Sequence, residues 1–183
     1  MEKGAKICVW LMEHGETTQA EAAKALGVSL STVNGLVKKL ERMGAVNIGQ
    51  RSLKVVDAEK ILLYLANVRT ISEDVIYKTR VGGSVSEIEK AMPPGVLFTA
   101  YSAYKFRYNE VPADYSEVYV YADEEVLAEL RRRFPPRGGP PNLFVLRKEF
   151  DKVNDALLFA DLWNLREWYA KDYVRGLRGR ILA

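Results

Sequence analysis

Residues 18–44 contain two short helical patterns whose ends are both specified by the sequence. Thr18 and Glu21 form a capping box, in which a hydroxyl and a carboxylate satisfy free backbone amides at the start of a helix. That helix is predicted to end at Gly27, because glycine readily adopts the left-handed conformation that terminates helices. Ser29 is placed to cap the next helix, which a second glycine ends. The stretch therefore predicts two consecutive helices separated by a tight turn.

The regions on either side of these helices also show regular patterns. Apolar side chains at helical spacing predict a first helix over residues 3–14. After the capped helices, the segments AVNI, GQRS and LKVV indicate a hairpin. Asp57 is placed to cap a further, connecting helix. The buried stripe of the second capped helix is predicted to contain Val33, Leu36 or Val37, Leu40 and Met43.

The opposite face of that helix carries small polar residues first and cations later. Its members follow helical spacing: Ser31, Asn34, Gly35, Lys38 and Arg42. Short side chains allow base edges of the DNA major groove to approach the first turns, and the later cations, with Lys39 beside them, reach phosphates. Gly35 costs about 1 kcal/mol relative to alanine inside a helix, so its presence favours a close approach to a ligand.

The segment QAEAAKALGVSLSTVNGLVKKLERMGAV resembles the helix-turn-helix of winged-helix regulators of the MarR kind. The resemblance covers residues 5–56, with Gly27 in the turn and the hairpin as the wing. It implies that the second helix of the motif enters the major groove. It also implies that Gln50 and Arg51, at the wing tip, contact the DNA backbone or minor groove. The DNA-binding residues predicted are Ser29, Ser31, Thr32, Asn34, Gly35, Lys38, Lys39, Arg42, Gln50 and Arg51.

Charge and aromatic content divide the chain into two parts. Residues 1–56 carry eight Lys and Arg against five Asp and Glu, whereas the remainder carries 19 of each. Every Tyr and Phe lies after residue 63. We therefore predict a winged-helix DNA-binding domain over residues 1–56, a connecting helix and linker over 57–74, and a C-terminal α/β domain over 75–183. The alternatives are that the cations form only a solvated helix face, or that the winged helix binds protein or RNA.

The C-terminal part alternates short strands with helices, which predicts a small mixed α/β domain and an α+β fold class for the chain. Strands are predicted at VLFTA, EVYVY and NLFVL, with helices between them and after them. In EVYVY, either the tyrosine pair or the valine pair is expected to face the interior. The run from Tyr101 to Tyr108 fits either a core helix with cations outside or a platform for single-stranded nucleic acid.

The sequence VGGSVSEIEK, residues 81–90, is the strongest enzyme signal. Nucleotidyltransferases place such a turn before a strand with two alternating carboxylates that hold magnesium. Here Glu87 and Glu89 fall in a predicted helix, so Ser84 or Ser86 is interpreted as a helix cap. The prediction is a domain without catalytic residues, metal or cofactor. A nucleotidyltransferase that uses Ser84 remains the alternative.

The run GVLFTAYSAYKFRY, followed by EVYVYADEE, NLFVLRKEF and ALLFADLWNL, resembles the C-terminal domain of AbiEi-type antitoxins. That resemblance implies a nucleotidyltransferase-like, non-catalytic domain and an antitoxin-like autorepressor of its own operon. It also implies a toxin as a protein partner. A protein-binding antitoxin module that sequesters a toxin is therefore a further alternative to the DNA-binding regulator. A palindromic operator would further require a homodimer.

The cysteine and histidine content excludes some kinds of site, and the distribution of apolar and charged residues suggests a cellular location. Cys8 is the only cysteine and His14 the only histidine, so neither an internal disulfide nor a cysteine-based zinc site can form. No apolar run approaches the length of a membrane span, and charge follows the amino terminus too closely for a signal peptide. A cytoplasmic protein is therefore expected.

Overall fold

The structure is a computed structural model that describes residues 1–183. Its N-terminal part contains four helices and a three-stranded sheet ordered β1-β3-β2. The elements are α1 (Lys3–His14), β1 (Glu16–Thr17), α2 (Gln19–Leu26), α3 (Leu30–Arg42), β2 (Val46–Ile48), β3 (Leu53–Val55) and α4 (Ala58–Val68).

The C-terminal part contains a four-stranded mixed sheet with helices on both faces. A 3-10 turn at Ile71–Asp74 leads into it. Its elements are β4 (Val75–Thr79), α5 (Val85–Lys90), β5 (Leu97–Thr99), α6 (Ala100–Tyr108), β6 (Val118–Ala122), α7 (Glu124–Arg133), β7 (Leu143–Arg147), α8 (Asp155–Trp163) and α9 (Ala170–Ile181).

The predicted helix ends in the N-terminal part are confirmed. The Glu21 amide donates to the Thr18 hydroxyl at 3.1 Å, and the Thr18 amide donates to the Glu21 carboxylate at 2.8 Å. Gly27 adopts a left-handed conformation with φ of 60°. The Thr32 amide donates to the Ser29 hydroxyl at 3.1 Å and begins α3. Local sequence thus sets both boundaries of the turn between α2 and α3.

Two details of this part differ from the sequence prediction. Met43 does not belong to the buried stripe of α3; its side chain is 41% exposed, because the helix ends at Arg42 and the chain turns away. The two-residue strand β1 was not predicted. It pairs with β3 through Glu16 opposite Lys54 and Thr17 opposite Leu53, a contact that only the folded hairpin creates.

The larger sheet has the order β4-β7-β6-β5, in which β6 and β7 are parallel and the outer pairs are antiparallel. The predicted strands β5, β6 and β7 are confirmed. The edge strand β4 was not predicted, since its burial is incomplete and a bulge near Ile76 interrupts its pairing. The proposed linker therefore contains the 3-10 turn and ends where the sheet begins.

Both faces of β6 are covered, which corrects the expectation that only one side-chain pair faces the interior. Tyr119 and Tyr121 pack into the larger core with α6 and α8. Val118 and Val120 pack into a smaller core together with Leu130 of α7. Strands buried on both faces are typical of sheets that carry helices on each side.

The two parts of the chain share one hydrophobic core. Helix α4 packs against both α1 and α8, and Ile61, Leu62 and Leu65 of α4 are completely or almost completely buried. At the end of α4, the buried Arg69 Nε donates to the Asp161 carboxylate on α8 at 2.9 Å. Asp161 also accepts from Thr99 at 2.7 Å and from Tyr121 at 2.6 Å.

Helix α6 packs its aromatic rings into this core. Tyr101 and Tyr104 are buried, while Phe106 is 54% exposed. The buried rings contact Tyr173 of α9 with centroid separations of 5.0 and 5.2 Å. This arrangement favours the core interpretation of the run over a stacking platform. None of the helices combines the length and the apolar content that a transmembrane segment requires.

Candidate nucleic-acid interface

Helix α3 has one buried face and one open face. Its buried residues are Val33, Leu36, Val37 and Leu40. They pack against α1, α2 and β2. The predicted stripe with Ser31, Gly35, Lys38 and Arg42 is exposed on the opposite side. The amphipathic pattern therefore orients the helix so that its polar stripe faces solvent.

The first turn of α3 is held by its own hydroxyl groups. The Ser29 and Thr32 hydroxyls lie 2.8 Å apart, in addition to the capping bond between Ser29 and the Thr32 amide. Ser29 therefore has a structural role at this helix start whatever else it contacts. Ser31 is exposed, and Leu30 beside it is 55% exposed. An exposed leucine at this position offers an apolar surface of the kind that contacts a thymine methyl group.

Asn34 is half-buried and forms a bond to the preceding helix. Its Nδ2 donates to the Gln19 Oε1 at 3.1 Å. Gln19 is the first residue of α2, so this bond connects the beginning of α2 with the middle of α3. The two amides form one polar group on the surface of the motif. Sequence analysis missed Gln19, because no local pattern connects two residues that are 15 positions apart.

Gly35 lies at the centre of the exposed stripe. A Cβ atom built at this position meets no heavy atom within 4 Å, and its φ is not positive. Neither steric crowding nor backbone conformation therefore requires glycine here. Because glycine has no side chain, it leaves a flat surface that would allow a DNA duplex to approach the helix closely.

The cations of the N-terminal part are almost all free of acidic partners. Of the eight Lys and Arg in residues 1–56, only Lys6 forms an ion pair, with Glu149 at 3.3 Å. Lys38, Lys39 and Arg42 extend the polar stripe along α3, and Ser31 and Arg42 are separated by about 16 Å along the helix axis at 1.5 Å per residue. Unpaired cations along one helix create a positive field that attracts phosphates.

The wing places its tip beside the start of the motif. Strands β2 and β3 are joined by a tight turn in which the Gly49 amide donates to the Ser52 carbonyl at 2.8 Å. Gln50 and Arg51 are exposed in this turn. A shallow groove separates the wing from the first residues of α2 and α3, and Gln19, Leu30, Gln50 and Arg51 all line it.

The C-terminal part contacts the motif from another side. Helix α8 packs on α1 and α4, and Asn154 at its start donates to the Val9 carbonyl of α1 at 3.4 Å. Lys152, in the segment after β7, forms an ion pair with Glu13 of α1. The exposed stripe of α3 and the wing tip remain uncovered. Two further cations missed by sequence analysis, Lys24 and Lys54, are exposed and unpaired on α2 and β3.

Electrostatics also stabilise the helix starts of this unit. Hydrogen bonds from the Thr18 amide and hydroxyl, with a further one from Thr17, lower the pKa of Glu21. The Lys60 amide, donating to Asp57 at the start of α4, likewise lowers the pKa of that carboxyl. Both carboxylates are thus stabilised in the charged form that helix N-termini favour.

Residues 11–47 match the family model described as winged helix-turn-helix DNA-binding. This segment is similar to the winged helix-turn-helix domains that bind DNA. The matched residues begin within α1 and extend through α2 and α3 into β2. No curated protein and no solved structure matches the chain. The match supports a DNA-binding regulator, and neither the MarR-like subtype nor the AbiEi-like C-terminal domain is supported by it.

The residues of the enzyme alternative lie in structural roles. Ser84 caps α5 through a second capping box, in which Glu87 accepts from the Ser84 amide at 2.7 Å. Glu89 is buried, and it accepts from Lys105 and from Tyr115, each at 2.6 Å. The serine and the two glutamates of the VGGSVSEIEK segment therefore form contacts that stabilise the fold.

Proposed function

We propose that the protein is a sequence-specific DNA-binding transcriptional regulator. The first turns of α3 contact base edges in the major groove, and Lys38, Lys39 and Arg42 contact flanking phosphates. Gln50 and Arg51 at the wing tip contact the adjacent backbone or minor groove. Gln19, which is hydrogen-bonded to Asn34, contacts the base edges together with it. In this arrangement both helices of the motif and the wing contact the same stretch of DNA.

The single observation that carries this proposal is the open face of α3. It combines a glycine that no packing requires with three cations that form no ion pair. A solvated face would explain the cations, but it would not explain a glycine in the middle of the stripe that destabilises the helix. The family match to residues 11–47 supports the same conclusion.

The finer proposal is a MarR-like, antitoxin-like autorepressor with a toxin as its protein partner. It depends on the resemblance of the C-terminal segments to AbiEi-type antitoxins. Binding of a palindromic operator would bring two copies together, so a homodimer on DNA is part of this proposal. We also propose that the C-terminal part is not an enzyme and that the protein acts in the cytoplasm.

The test is selection of bound fragments from the source genome at two salt concentrations. We expect enrichment of one short site, with affinity that falls steeply as salt rises, since released counterions drive phosphate binding. A variant that carries Lys38→Ala and Arg42→Ala should lose enrichment at the higher salt. Equal recovery of all fragments by both proteins would contradict sequence-specific binding. Two symmetric half-sites would support the homodimer, and recovery of a stoichiometric second protein would support the toxin.

A further inference from the structure

The parallel strands β6 and β7 are followed by helices on opposite faces of the sheet. After β6 the chain enters α7, which packs on the face with Val118 and Val120. After β7 it continues to α8, which packs on the face with Tyr119 and Tyr121. Where two neighbouring parallel strands are followed by helices on opposite faces of the sheet, a crevice opens beyond the carboxyl ends of the strands. Ligands of α/β proteins bind in such crevices.

A cavity occupies this position. It has a volume of about 500 Å³, which lies within the range of small-molecule sites. Residues 122–124 and 147–149, at the carboxyl ends of β6 and β7, line it together with part of α7. Ile76 and Leu127 provide its apolar side. The cavity and the topology are independent observations that identify the same place.

Two guanidinium groups in this crevice have no acidic partner. Arg147 ends β7, and Arg131 lies on α7; both are exposed and neither forms an ion pair. The Arg131 guanidinium lies 5.5 Å from the centroid of the Tyr77 ring, whose hydroxyl donates to the Phe134 carbonyl. A ring held in this way restricts the orientations of the guanidinium above it.

The carboxylates of the crevice differ in whether they already have hydrogen-bond or ion-pair partners. Asp123 accepts from the Val126 amide at 3.0 Å and lies 3.8 Å from Lys148. Glu149 pairs with Lys6 at 3.3 Å. Glu124 is exposed and has no partner. The groups left free are therefore two guanidiniums and one carboxylate.

We infer that this crevice binds a pentose 5-phosphate, either free or as part of a mononucleotide. Arg131 and Arg147 bind the phosphate, because guanidinium groups match phosphate oxygens in charge and geometry. Glu124 accepts hydrogen bonds from the sugar hydroxyls. Ile76 and Leu127 contact the apolar face of the sugar or base. This site is separate from the DNA-binding face, so the inference does not depend on the proposed function.

The experiment is calorimetric titration of the full chain with four probes: ribose 5-phosphate, adenosine 5′-monophosphate, adenosine and inorganic phosphate. Both phosphorylated sugars should bind more tightly than inorganic phosphate, and adenosine should not bind. A clear preference between the two would distinguish a free sugar phosphate from a nucleotide. Arg131→Gln and Arg147→Gln should each weaken binding about tenfold or more, as the loss of a charge-assisted contact predicts.

Arg166→Gln is the matched control, because Arg166 is also exposed and unpaired but does not line the crevice. Its affinity for both phosphorylated sugars should equal that of the wild type, and thermal unfolding verifies that every variant is folded. Failure of both phosphorylated sugars to bind would overturn the inference. So would inorganic phosphate binding as tightly as ribose 5-phosphate, or equal binding by the crevice variants and the wild type.

Discussion

The side-chain amides of Asn34 and Gln19 are joined by a hydrogen bond of 3.1 Å that connects the two helices of the helix-turn-helix. The bond uses one donor of the Asn34 amide and leaves its carbonyl oxygen free. Asparagine and glutamine amides recognise adenine by donating one hydrogen bond and accepting another. In the proposed DNA complex, Gln19 would therefore orient Asn34 for base recognition and add an amide of its own.

Asn34→Ala is expected to relax preference at one base position at a cost of about 1 to 3 kcal/mol in specific binding. Gln19→Ala should relax preference at the same position by a smaller amount, since it removes the second amide and the orientation of Asn34 but leaves the Asn34 amide in place. Competition binding against a set of single-base operator variants measures both effects. If the two substitutions altered preference at unrelated positions, the amides would not act as one group.

Lys38→Ala should weaken binding to all DNA sequences by a similar factor. The logarithmic salt slope of the affinity should decrease by about 0.9, the value for one lost phosphate contact. Affinity measured over a series of salt concentrations tests this expectation. Lys171→Ala is the control, because Lys171 is an exposed, unpaired lysine on α9, away from the motif. A slope unchanged by Lys38→Ala would place this lysine outside the interface.

Substitutions at Gly35 should affect the stability of the fold and the affinity for DNA differently. Gly35→Ala should raise the free energy of unfolding by up to about 1 kcal/mol, because the added methyl meets open space and alanine favours the helix. Gly35→Leu should leave the protein folded but weaken DNA binding at least tenfold, since its side chain keeps the helix out of the groove. Urea denaturation and a DNA-binding titration of both variants make the comparison. Tight binding by the leucine variant would show that the glycine does not face DNA.

The buried pair of Arg69 and Asp161 should dominate the stability of the junction between α4 and α8. Burial raises the pKa of Asp161 above its ordinary value even though Arg69 lowers it. Arg69→Met leaves this carboxylate without its cation and should cost about 3 to 5 kcal/mol in urea denaturation. Adding Asp161→Leu should recover part of that loss. Arg132→Met, which breaks an exposed pair with Glu129, is the control and should cost at most about 1 kcal/mol.

Glu21 should contribute to the loss of stability in acid. Its pKa is lowered in the folded protein from an ordinary value of 4.5, so the stabilisation that it provides is complete above that value. This contribution is lost as the pH falls through the folded pKa, because the unfolded chain then binds more protons. Glu21→Gln keeps a side-chain acceptor for the Thr18 amide and should show a shallower decline in stability below pH 4.5. Thermal unfolding of both proteins from pH 3 to pH 7 measures the difference.

The sequence by itself determined the helix-turn-helix, because its signals are local. Thr18, Gly27 and Ser29 each act within one helical turn, and the apolar spacing of α3 specifies which face is buried. The same spacing determined that Lys38 and Arg42 would be exposed. These features depend only on neighbouring residues and on helical geometry, so they could be predicted without knowledge of the rest of the fold.

Only the tertiary structure decided the features that join distant segments. The bond between Gln19 and Asn34 needs the crossing of two helices, and the pair of Arg69 and Asp161 joins residues 92 positions apart. Strand β4 is recognisable only beside β7, because strand formation requires a partner that supplies its backbone hydrogen bonds. The crevice beyond β6 and β7 exists because their helices leave on opposite faces, and neither helix pattern specifies that choice.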